Sequence, residues 1–555
     1  MAEEVWMLQT KKADFKQIGA RFRIDPVTAR IIRNRGIEGE AAIDRYLNGT
    51  LDDLYDPMLL KDMERAVSIL CEAVDTGKKI RIVGDYDIDG VCSTYILLQA
   101  FERLGSDVDF EIPDRIKDGY GINESIIEQA HADGVEVILT CDNGISAFHQ
   151  VELAKKYGMT VVITDHHEVP LDGEKEKIPP ADAVIDPKQA DCPYPFPEIC
   201  GAVVAYKLVQ VLYARRGVPQ MEWLDLLEFA AIATVGDVMK LQDENRILVK
   251  YGLKKMAQTK NLGLRRLAEK NNLDLGAITA YHIGFVIGPC LNAGGRLKTA
   301  KEALALLRAQ SEEEAERLAE ELKELNDTRK DMTEQGTEAA KLQVESWYQK
   351  DKVLVVFLPE CHESLAGIIA GRLREYYQKP AIVLTRGEEA VKGSGRSIDE
   401  YHMFKKLTEV SDLLLKFGGH PLAAGLSLEE KNIDEFRRRL NENAGLTEED
   451  FKAKVWVDVP MPVGYVTERL VRELSCLEPF GQGNEKPLFA EKSLRIRASR
   501  VLGRNRNVVK MTLEETDGHA IEALYFGDGT AFEEERAGRR EIDVVYYPDI
   551  NEYNG

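Results

Sequence analysis

The stretch "RIVGDYDIDGVCST" (81–94) runs from β-branched apolar residues into Asp85, Asp87 and Asp89 at alternate positions, followed at once by Gly90. Side chains at i, i+2 and i+4 of an extended segment share one face, so three carboxylates there repel unless a cation or a basic group compensates. An EF-hand calcium loop also begins D-x-D-x-D-G, but it needs a glutamate at loop position 12, and counting from Asp85 that position is Ile96. Such a loop also leaves a helix, whereas "KKIRIVGDYD" reads as a short strand after the helical pattern Met63 to Val74. Taken alone, the triplet would suit a solvated turn equally well.

The flanking sequence repeats the theme. "VEVILTCDNG" reads as strand and turn, "SAFHQVELAKKYG" as an amphipathic helix and "MTVVITDHH" as another strand. This alternation predicts an α/β fold with a mainly parallel sheet, in which polar residues just past the strands' carboxyl ends line the ligand crevice. Asp85, Asp87 and Asp89, then Asp142, then Asp165, His166 and His167 all fall at such ends. Three strand ends are therefore predicted to converge on one site.

At 555 residues the chain is long enough for three or four domains at about 150 residues each. It is 30% charged and 44% hydrophobic, without an apolar run of membrane-spanning length. Its start, "MAEEVWMLQTKKADF", lacks a basic n-region and an apolar h-region, so a cytoplasmic protein without a membrane partner is expected. The eight cysteines contain no CxxC pair, which fits reduced thiols rather than disulfides or a zinc ribbon. A net charge of −22 argues against polyanion binding by the whole surface. One local basic patch stands out, because "KSLRIRASRVLGRNRNVVK" (492–510) carries seven Lys/Arg and no acid.

Further along, "SEEEAERLAEELKELNDTRKDMTEQGTEAA" places Leu318, Leu322, Leu325, Arg329 and Met332 at three- and four-residue spacing, as in a long amphipathic helix joining two domains. A second α/β pattern begins at "KVLVVFLPECHESLAGIIAGRLREYYQKPAIVLT" and continues to about Leu440. The alternating segments "VVKMTLEE", "AIEALYFG" and "IDVVYY" favour a small β-barrel or sandwich at the end.

Hard divalent cations prefer carboxylates, and manganese also accepts imidazole, so an Asp/His cluster without cysteine points to Mn²⁺ or Mg²⁺ before zinc. There are enough candidates for two ions. Asp142 in "TCDNGIS" is the natural bridge, His166 or His167 in "TDHH" can ligate through a ring nitrogen, and Asp237 in "AAIATVGDVMKL" supplies a further acid. A lone Asp after a strand is more often an N-cap, but three such motifs in order weaken that explanation.

The ordered motifs "DYDIDG", "CDNGIS", "TDHH" and "VGDV" resemble those of the DHH phosphoesterase family, and the second half resembles its DHHA1 partner domain. Within that family the likeness is to single-strand-specific 5′-to-3′ exonucleases. It is carried by "IPDRIKDGYGIN", "YPFPEICGAVVAYKL", "LNAGGRL", "KGSGRSI", "FGGHPLAAG" and "LEPFGQGNEKPLF" and covers nearly the whole chain. The resemblance implies an N-terminal segment (1–55), a DHH catalytic domain (56–300), a long connecting helix (301–350), a DHHA1 domain (351–442) and a C-terminal OB-fold β-barrel (452–555). The family's pattern continues into another strand beyond "DINEYNG", so an incomplete barrel is expected. The resemblance also implies two Mn²⁺ ions, or Mg²⁺, on Asp87, Asp89, Asp142, His166 and Asp237. Asp85, Asp165 and His167 would lie close by, with His167 either contacting the scissile phosphate or assisting proton transfer.

A nuclease that starts at a 5′ end must hold a terminal phosphate, for which guanidinium forks and loop N–H groups are suited. By resemblance, Arg115, Arg296, Ser394 and Arg396 form that pocket and His420 faces the substrate from the second domain. The chain departs from the family at "PCLNAGGRL", where Cys290 stands for an arginine and Gly294 for an alanine. His362 of "CHESLAG" and Arg296 are retained. Alternation in "LRIRASR" puts Arg495 and Arg497 on one strand face, as single-strand binding by an OB-fold would use them. The implied function is degradation of single-stranded DNA to 5′-mononucleotides in recombination and repair, by a monomer working with single-strand-binding protein and a helicase. The rivals are a DHH enzyme acting on short RNA, cyclic dinucleotides or pyrophosphate, and a catalytically silent scaffold that would have lost metal ligands.

Overall fold

The computed structural model describes residues 4–552; "MAE" at the start and "YNG" at the end, and the readings that fall on them, lie outside the described residues. The chain divides into two compact units, residues 54–453 and residues 4–53 together with 454–552.

In the first unit the fully buried strand Ile80–Val83 sits inside a five-stranded parallel sheet. The order is Val108–Glu111, Ile80–Val83, Val137–Cys141, Thr160–Thr164, Ala183–Ile185, with Ile80 in register with both Val108 and Val137. The second strand goes to one side of the first and the third to the other, so the chain reverses its order beside Ile80–Val83. The carboxyl end of that strand is thus the topological switch point where α/β sheets place ligands. Two helices packed on this lobe are buried over most of their length, Ile88–Arg103 nearly throughout and Gly201–Arg216 through Val209, in keeping with the lack of a continuous polar face in either sequence.

The same lobe holds an internal ion pair. Lys207 Nζ lies 3.1 Å from Glu244, with both side chains at most 1% exposed. Lys207 also donates to the Tyr55 carbonyl (3.0 Å), and the Tyr194 hydroxyl donates to Glu244.

The segment expected as one connecting helix over 301–350 is broken. Lys301–Arg308 is a separate helix, and the long one runs Glu312–Gln343 before a π-turn at Val344–Tyr348. Ser311 explains the break: its hydroxyl caps the Glu314 N–H (3.1 Å), and Glu312, Glu313 and Glu314 fill the first turn where the helix dipole favours acids. The second lobe is a mixed sheet ordered Leu414–Gly419, Ala423–Leu428, Val391–Arg396, Ala381–Arg386, Leu354–Phe357, with the last pair parallel.

In the second unit the N-terminal residues are not a segment apart. Ile31, Ile32, Ile43 and Tyr46 share one core with Val459, Leu470, Leu477 and Phe489. Arg35 forks onto both oxygens of the buried Asp458 (2.7 and 3.2 Å). The long strand Phe489–Leu502 pairs with both Val508–Glu514 and Glu541–Tyr546, giving a curled sheet. Among the described residues no ladder joins Ala520–Phe526 to Glu541–Tyr546, so the barrel is open on that side.

Candidate metal centre and phosphate cavity

The aspartate triplet straddles a strand end and a helix start. Asp87 is the N-cap of Ile88–Arg103, its Oδ1 accepting from the N–H groups of Asp89 (2.9 Å) and Gly90 (3.1 Å). A Cβ at Gly90 would stand 2.4 Å from the Asp85 carbonyl oxygen, so only glycine lets the helix start this close to the strand end. Asp89 lies in that first turn and points to another helix: its oxygens accept from the N–H groups of Gly201 and Ala202, both at 2.7 Å. A fully buried carboxylate is held there by the orphan amides and the positive end of the dipole of Gly201–Arg216.

Asp142 follows Val137–Cys141 with φ +61°, a left-handed conformation that few non-glycine residues adopt. Behind it, Asn143 ties the strand ends together by donating to the carbonyls of Val83 (3.0 Å) and Cys141 (2.9 Å) while accepting from Ile122. Asp237 ends the helix Leu227–Gly236 as its C-cap. Ligand atoms of Asp142, His166 and His167, of Asp89, His166 and Asp237, and of Asp85, Asp87 and Asp142 form three groups, each within 4.8 Å. Asp142 and His166 each belong to two of them, so the groups form one continuous cluster.

The cluster is short of positive charge. Burial, then the neighbouring Asp87, pushes Asp85 up to about 8. Burial, then Asp89 and Asp87, does the same to Asp237. Burial and the charges of Asp89, Asp87, Asp85 and Asp237 raise Asp142 well above the usual carboxylate range. Burial also lowers His166. Asp142 Oδ1 and His166 Nδ1 are buried without a hydrogen-bond partner, and the 3.1 Å approach of Asp142 Oδ1 to His166 Nε2 lacks hydrogen-bond geometry. Buried thiols lie nearby and burial pushes Cys141 up to about 12 and raises Cys200 too, but among the described residues no cysteine belongs to any of the three groups. Oxygen and imidazole ligands with unsatisfied lone pairs fit hard divalent cations such as Mn²⁺ or Mg²⁺.

Asp165 and His167 are arranged differently. Asp165 accepts from the N–H groups of His166 (2.7 Å), His167 (3.2 Å) and Ile145 (2.9 Å), so its oxygens are spent on positioning. It also meets His167 Nδ1 at 2.7 Å. Burial alone would lower His167, but this bond, the Asp165 charge and the charges of Asp237 and Asp89 raise it to about 9. Tyr120 closes the group, its hydroxyl donating to the Asp142 carbonyl (2.9 Å) and lying 3.0 Å from the His167 ring.

Next to the carboxylates is a cavity of about 520 Å³ lined by Arg115, Arg296, Ser364, Arg372, Ser394 and Arg396, with Glu363 and Glu375 also on its wall. Arg296 donates to the Ser364 carbonyl (3.0 Å) and Arg396 to Ser394 Oγ (3.2 Å). Burial, then the charges of Arg115, Arg329 and Arg396, pushes Arg296 down to about 10, as expected where cations gather in excess. The Arg115 guanidinium lies 4.5 Å over the ring of Tyr86, the residue between Asp85 and Asp87. A Cβ at Gly295 would be 2.3 Å from the Tyr86 carbonyl oxygen, so the helix bearing Arg296 packs directly on the aspartate loop. The acidic cluster and the cationic cavity are neighbours.

Three family models match the chain: DHH family, N-terminal domain (79–234), DHHA1 domain (350–445) and RecJ OB domain (457–555). The single-stranded-DNA-specific exonuclease RecJ of Bacillus subtilis (strain 168) is 36% identical over 554 residues, 99% of this chain and 69% of that protein. The RecJ of Escherichia coli (strain K12) is 34% identical over 96% of this chain and 94% of its own length. The crystal structure of RecJ from Thermus thermophilus in complex with Mn²⁺ superposes with a TM-score of 0.83 at 29% identity, covering 99% of this chain and 77% of that one. The chain belongs to the RecJ family.

The structure brings Asp85, Asp87, Asp89, Asp142, His166, His167 and Asp237 into one cluster, with Asp165 behind it. It brings Arg115, Arg296, Ser394 and Arg396 into one cavity. His420 is not among the residues lining that cavity; it lies in the exposed turn between Leu414–Gly419 and Ala423–Leu428. Arg495 and Arg497 are exposed while Leu494 and Ile496 are buried, and Arg497 faces Glu514 at 3.3 Å. Cys290, which replaces the arginine usual in the RecJ pattern, is buried outside the cavity lining, with Asn326 Nδ2 3.4 Å from its sulfur.

Several site residues have no sequence signal of their own. Tyr120 sits in a loop and Ser364 in the first turn of the helix Glu363–Tyr377, neither in a metal motif, and Arg372 is one of two arginines on that helix. Asp186, buried after the short strand Ala183–Ile185, adds a fourth strand end; burial and then Asp165 raise it to about 7, and its Oδ2 has no partner. An acid after the apolar run in "ADAVIDP" was the one available hint.

Proposed function

We propose that this chain is an exonuclease that holds the 5′-terminal phosphate of single-stranded DNA in the arginine cavity. The next phosphodiester is then presented to the carboxylate cluster and hydrolysed, releasing 5′-mononucleotides. The observation that carries this reading is the adjacency of the two charge clusters across Tyr86 and Arg115. A terminal phosphate needs guanidinium forks, and the phosphodiester behind it needs cations held by carboxylates.

In this reading Asp87, Asp89, Asp142, His166 and Asp237 hold two Mn²⁺ ions, with Asp85 closing the cluster, and Mg²⁺ is the alternative ion. Bound there, such ions supply an acidified water and neutralise charge on the phosphate. Water adds to phosphorus and the bond to the 3′-oxygen breaks, so the remaining strand keeps a new 5′-phosphate and can reseat it in the cavity. His167, oriented by Asp165 and Tyr120, donates to a non-bridging phosphate oxygen or passes a proton. Arg495 and Arg497 on the curled sheet bind single strand, and His420 contacts it from the second lobe. Recombination and repair in the cytoplasm, a monomeric state, and single-strand-binding protein and a helicase as partners belong to the same proposal. Among the described residues no helix is long and apolar enough to cross a membrane.

The test is Mn²⁺-dependent release of nucleotides from one strand labelled at either end. Early release of the 5′ label as mononucleotide is expected, absent on blunt duplex and in Asp142→Asn. Release from the 3′ end first, or equal cleavage of duplex, would overturn the reading.

A further inference from the structure

One surface feature, on the turn that leads into the helix carrying Arg296, is unused by this mechanism. Tyr281 and Phe285, 63% and 67% exposed, stack on one another with ring centroids 4.8 Å apart and planes 27° apart. Singly exposed aromatics are common, but two adjoining exposed rings make an apolar patch of the kind that meets a partner. The pair is held rigidly from behind. Phe285 lies in the π-turn Ile283–Ile287, whose end residues Ile283 and Ile287 are fully buried. Tyr281 packs edge-on against His282, and His282 Nδ1 accepts the Thr279 N–H (3.0 Å). π-turns inside helices recur at functional sites, and this one leads into Gly288–Leu297, the helix that carries Arg296.

Two close approaches tie the turn to residues that flank the metal cluster in sequence. A Cβ at Gly284 would be 3.7 Å from Val235, two residues before Asp237, and one at Gly288 would be 3.3 Å from Ile88, between Asp87 and Asp89. Val238 follows Asp237 with φ +57° and is 65% exposed. A β-branched residue in the left-handed region is strained, and such strain persists where the surroundings impose it, commonly at binding sites. An exposed apolar residue next to Asp237 and two stacked rings on the turn packed against Val235 and Ile88 thus lie within a few residues of an otherwise charged site.

We infer that Tyr281 and Phe285 form a stacking platform for a nucleobase of the single strand next to the scissile phosphodiester. The platform accepts any base, because every base has a π-face, and it would reject duplex, whose bases are already stacked on each other. This rests on the proposed single-strand nuclease activity and assigns these rings a positioning role within it. Phosphate contacts fix the backbone without regard to bases; the platform fixes the angle at which the strand crosses the cluster.

The experiment is a cycle of protein and substrate. Initial rates are measured with Mn²⁺ on a normal single strand and on strands with one abasic site placed at successive positions from the 5′ end. Wild type is compared with Phe285→Leu, Phe285→Trp and Tyr281→Ala. These side chains are exposed, so the variants keep the fold, which melting curves verify. Expected is a loss in kcat/KM of about tenfold for Phe285→Leu and Tyr281→Ala on the normal strand, the size of one base–aromatic stack. Phe285→Trp should restore it, and on the strand whose abasic site faces the platform all variants should equal wild type. In EDTA, 2-aminopurine at that same position should be quenched on binding to wild type and not to Phe285→Leu. Equal losses on normal and every abasic strand, or no loss at all while wild type degrades the normal strand, would overturn the platform and leave the nuclease reading standing. Absence of Mn²⁺-dependent degradation by wild type would instead sink the nuclease reading and the platform with it.

Discussion

Lys207 and Glu244, 3.1 Å apart and at most 1% exposed, neutralise one another inside the first lobe. Asp85, Asp89 and Asp142, equally buried in that lobe, face one another; of the two imidazoles beside them, burial disfavours charge on His166, and His167 is engaged by Asp165. Both are desolvated charge, and desolvation is unfavourable in either place. The first is compensated by the chain itself and serves the fold. The second is left for an ion from solution to compensate, and the arginine cavity mirrors it with the opposite sign. Uncompensated charge of one sign, kept at a strand-end crevice by helix amides and backbone turns, marks the working part of this molecule better than burial or charge alone.

The comparison breaks most visibly through substitution. Asp142→Asn, which the left-handed backbone tolerates, should lower the rate of strand hydrolysis by ~10³-fold or more. In EDTA the same variant should melt higher than wild type, because one repelling carboxylate is gone. Glu244→Ala should do the reverse: removing the buried counter-charge of Lys207 should lower stability by about 3–5 kcal/mol, read from denaturant unfolding, while activity per folded molecule stays near wild type. If both variants destabilised equally, the distinction between the two kinds of buried charge would fail.

Smaller effects sharpen it. Arg396→Ala should raise KM for a 5′-phosphorylated strand by about 10- to 100-fold, the scale of a lost charge-assisted hydrogen bond, and change it much less for a 5′-hydroxyl strand. The weakest effect concerns pH in the metal-free protein. Burial and like charge raise Asp237 and Asp85 to about 8, so between about pH 4 and 8 the folded state holds protons that the unfolded state has lost. Their contribution to stability is therefore fully present below the unfolded pKa and is lost as pH rises through 8. Melting in EDTA should show Asp237→Asn gaining a few degrees over wild type between pH 5 and 8.5, and Mn²⁺ should reverse the order by binding the native wild type.

Much of the site was legible because its signals are local. Alternating aspartates after a β-branched run, an Asn-Gly turn after a second strand and paired histidines after a third are each set by a few consecutive residues. Parallel α/β topology then carries all such ends to one edge. Asp186 is not legible because a lone acid after three apolar residues looks like any N-cap, and Tyr120 is not because its role is a hydrogen bond from a loop to the carbonyl of Asp142, which no local pattern announces. His420 was assigned by resemblance, and the turn that carries it stands outside the cavity lining. The break before Glu312 was spelled out in Ser311 and the three glutamates after it, but the apolar spacing on either side concealed it.

By itself the sequence determined the fold class, the two α/β lobes and the curled β-sheet, because helix and strand periodicities and turn residues act over a few positions and leave a readable pattern. It also determined which residues could hold a cation or a phosphate, since that depends on side-chain chemistry. Tertiary structure alone decided which charges are compensated. Glu244 and Asp142 carry the same chemical group, yet one meets Lys207 across a helix pair and the other meets more carboxylates. Only tertiary structure, too, joined Ile31 and Tyr46 to Phe489 across more than four hundred residues. Contacts at that separation leave no local periodicity, because they are selected by the free energy of the whole packed unit and not by the propensity of either segment.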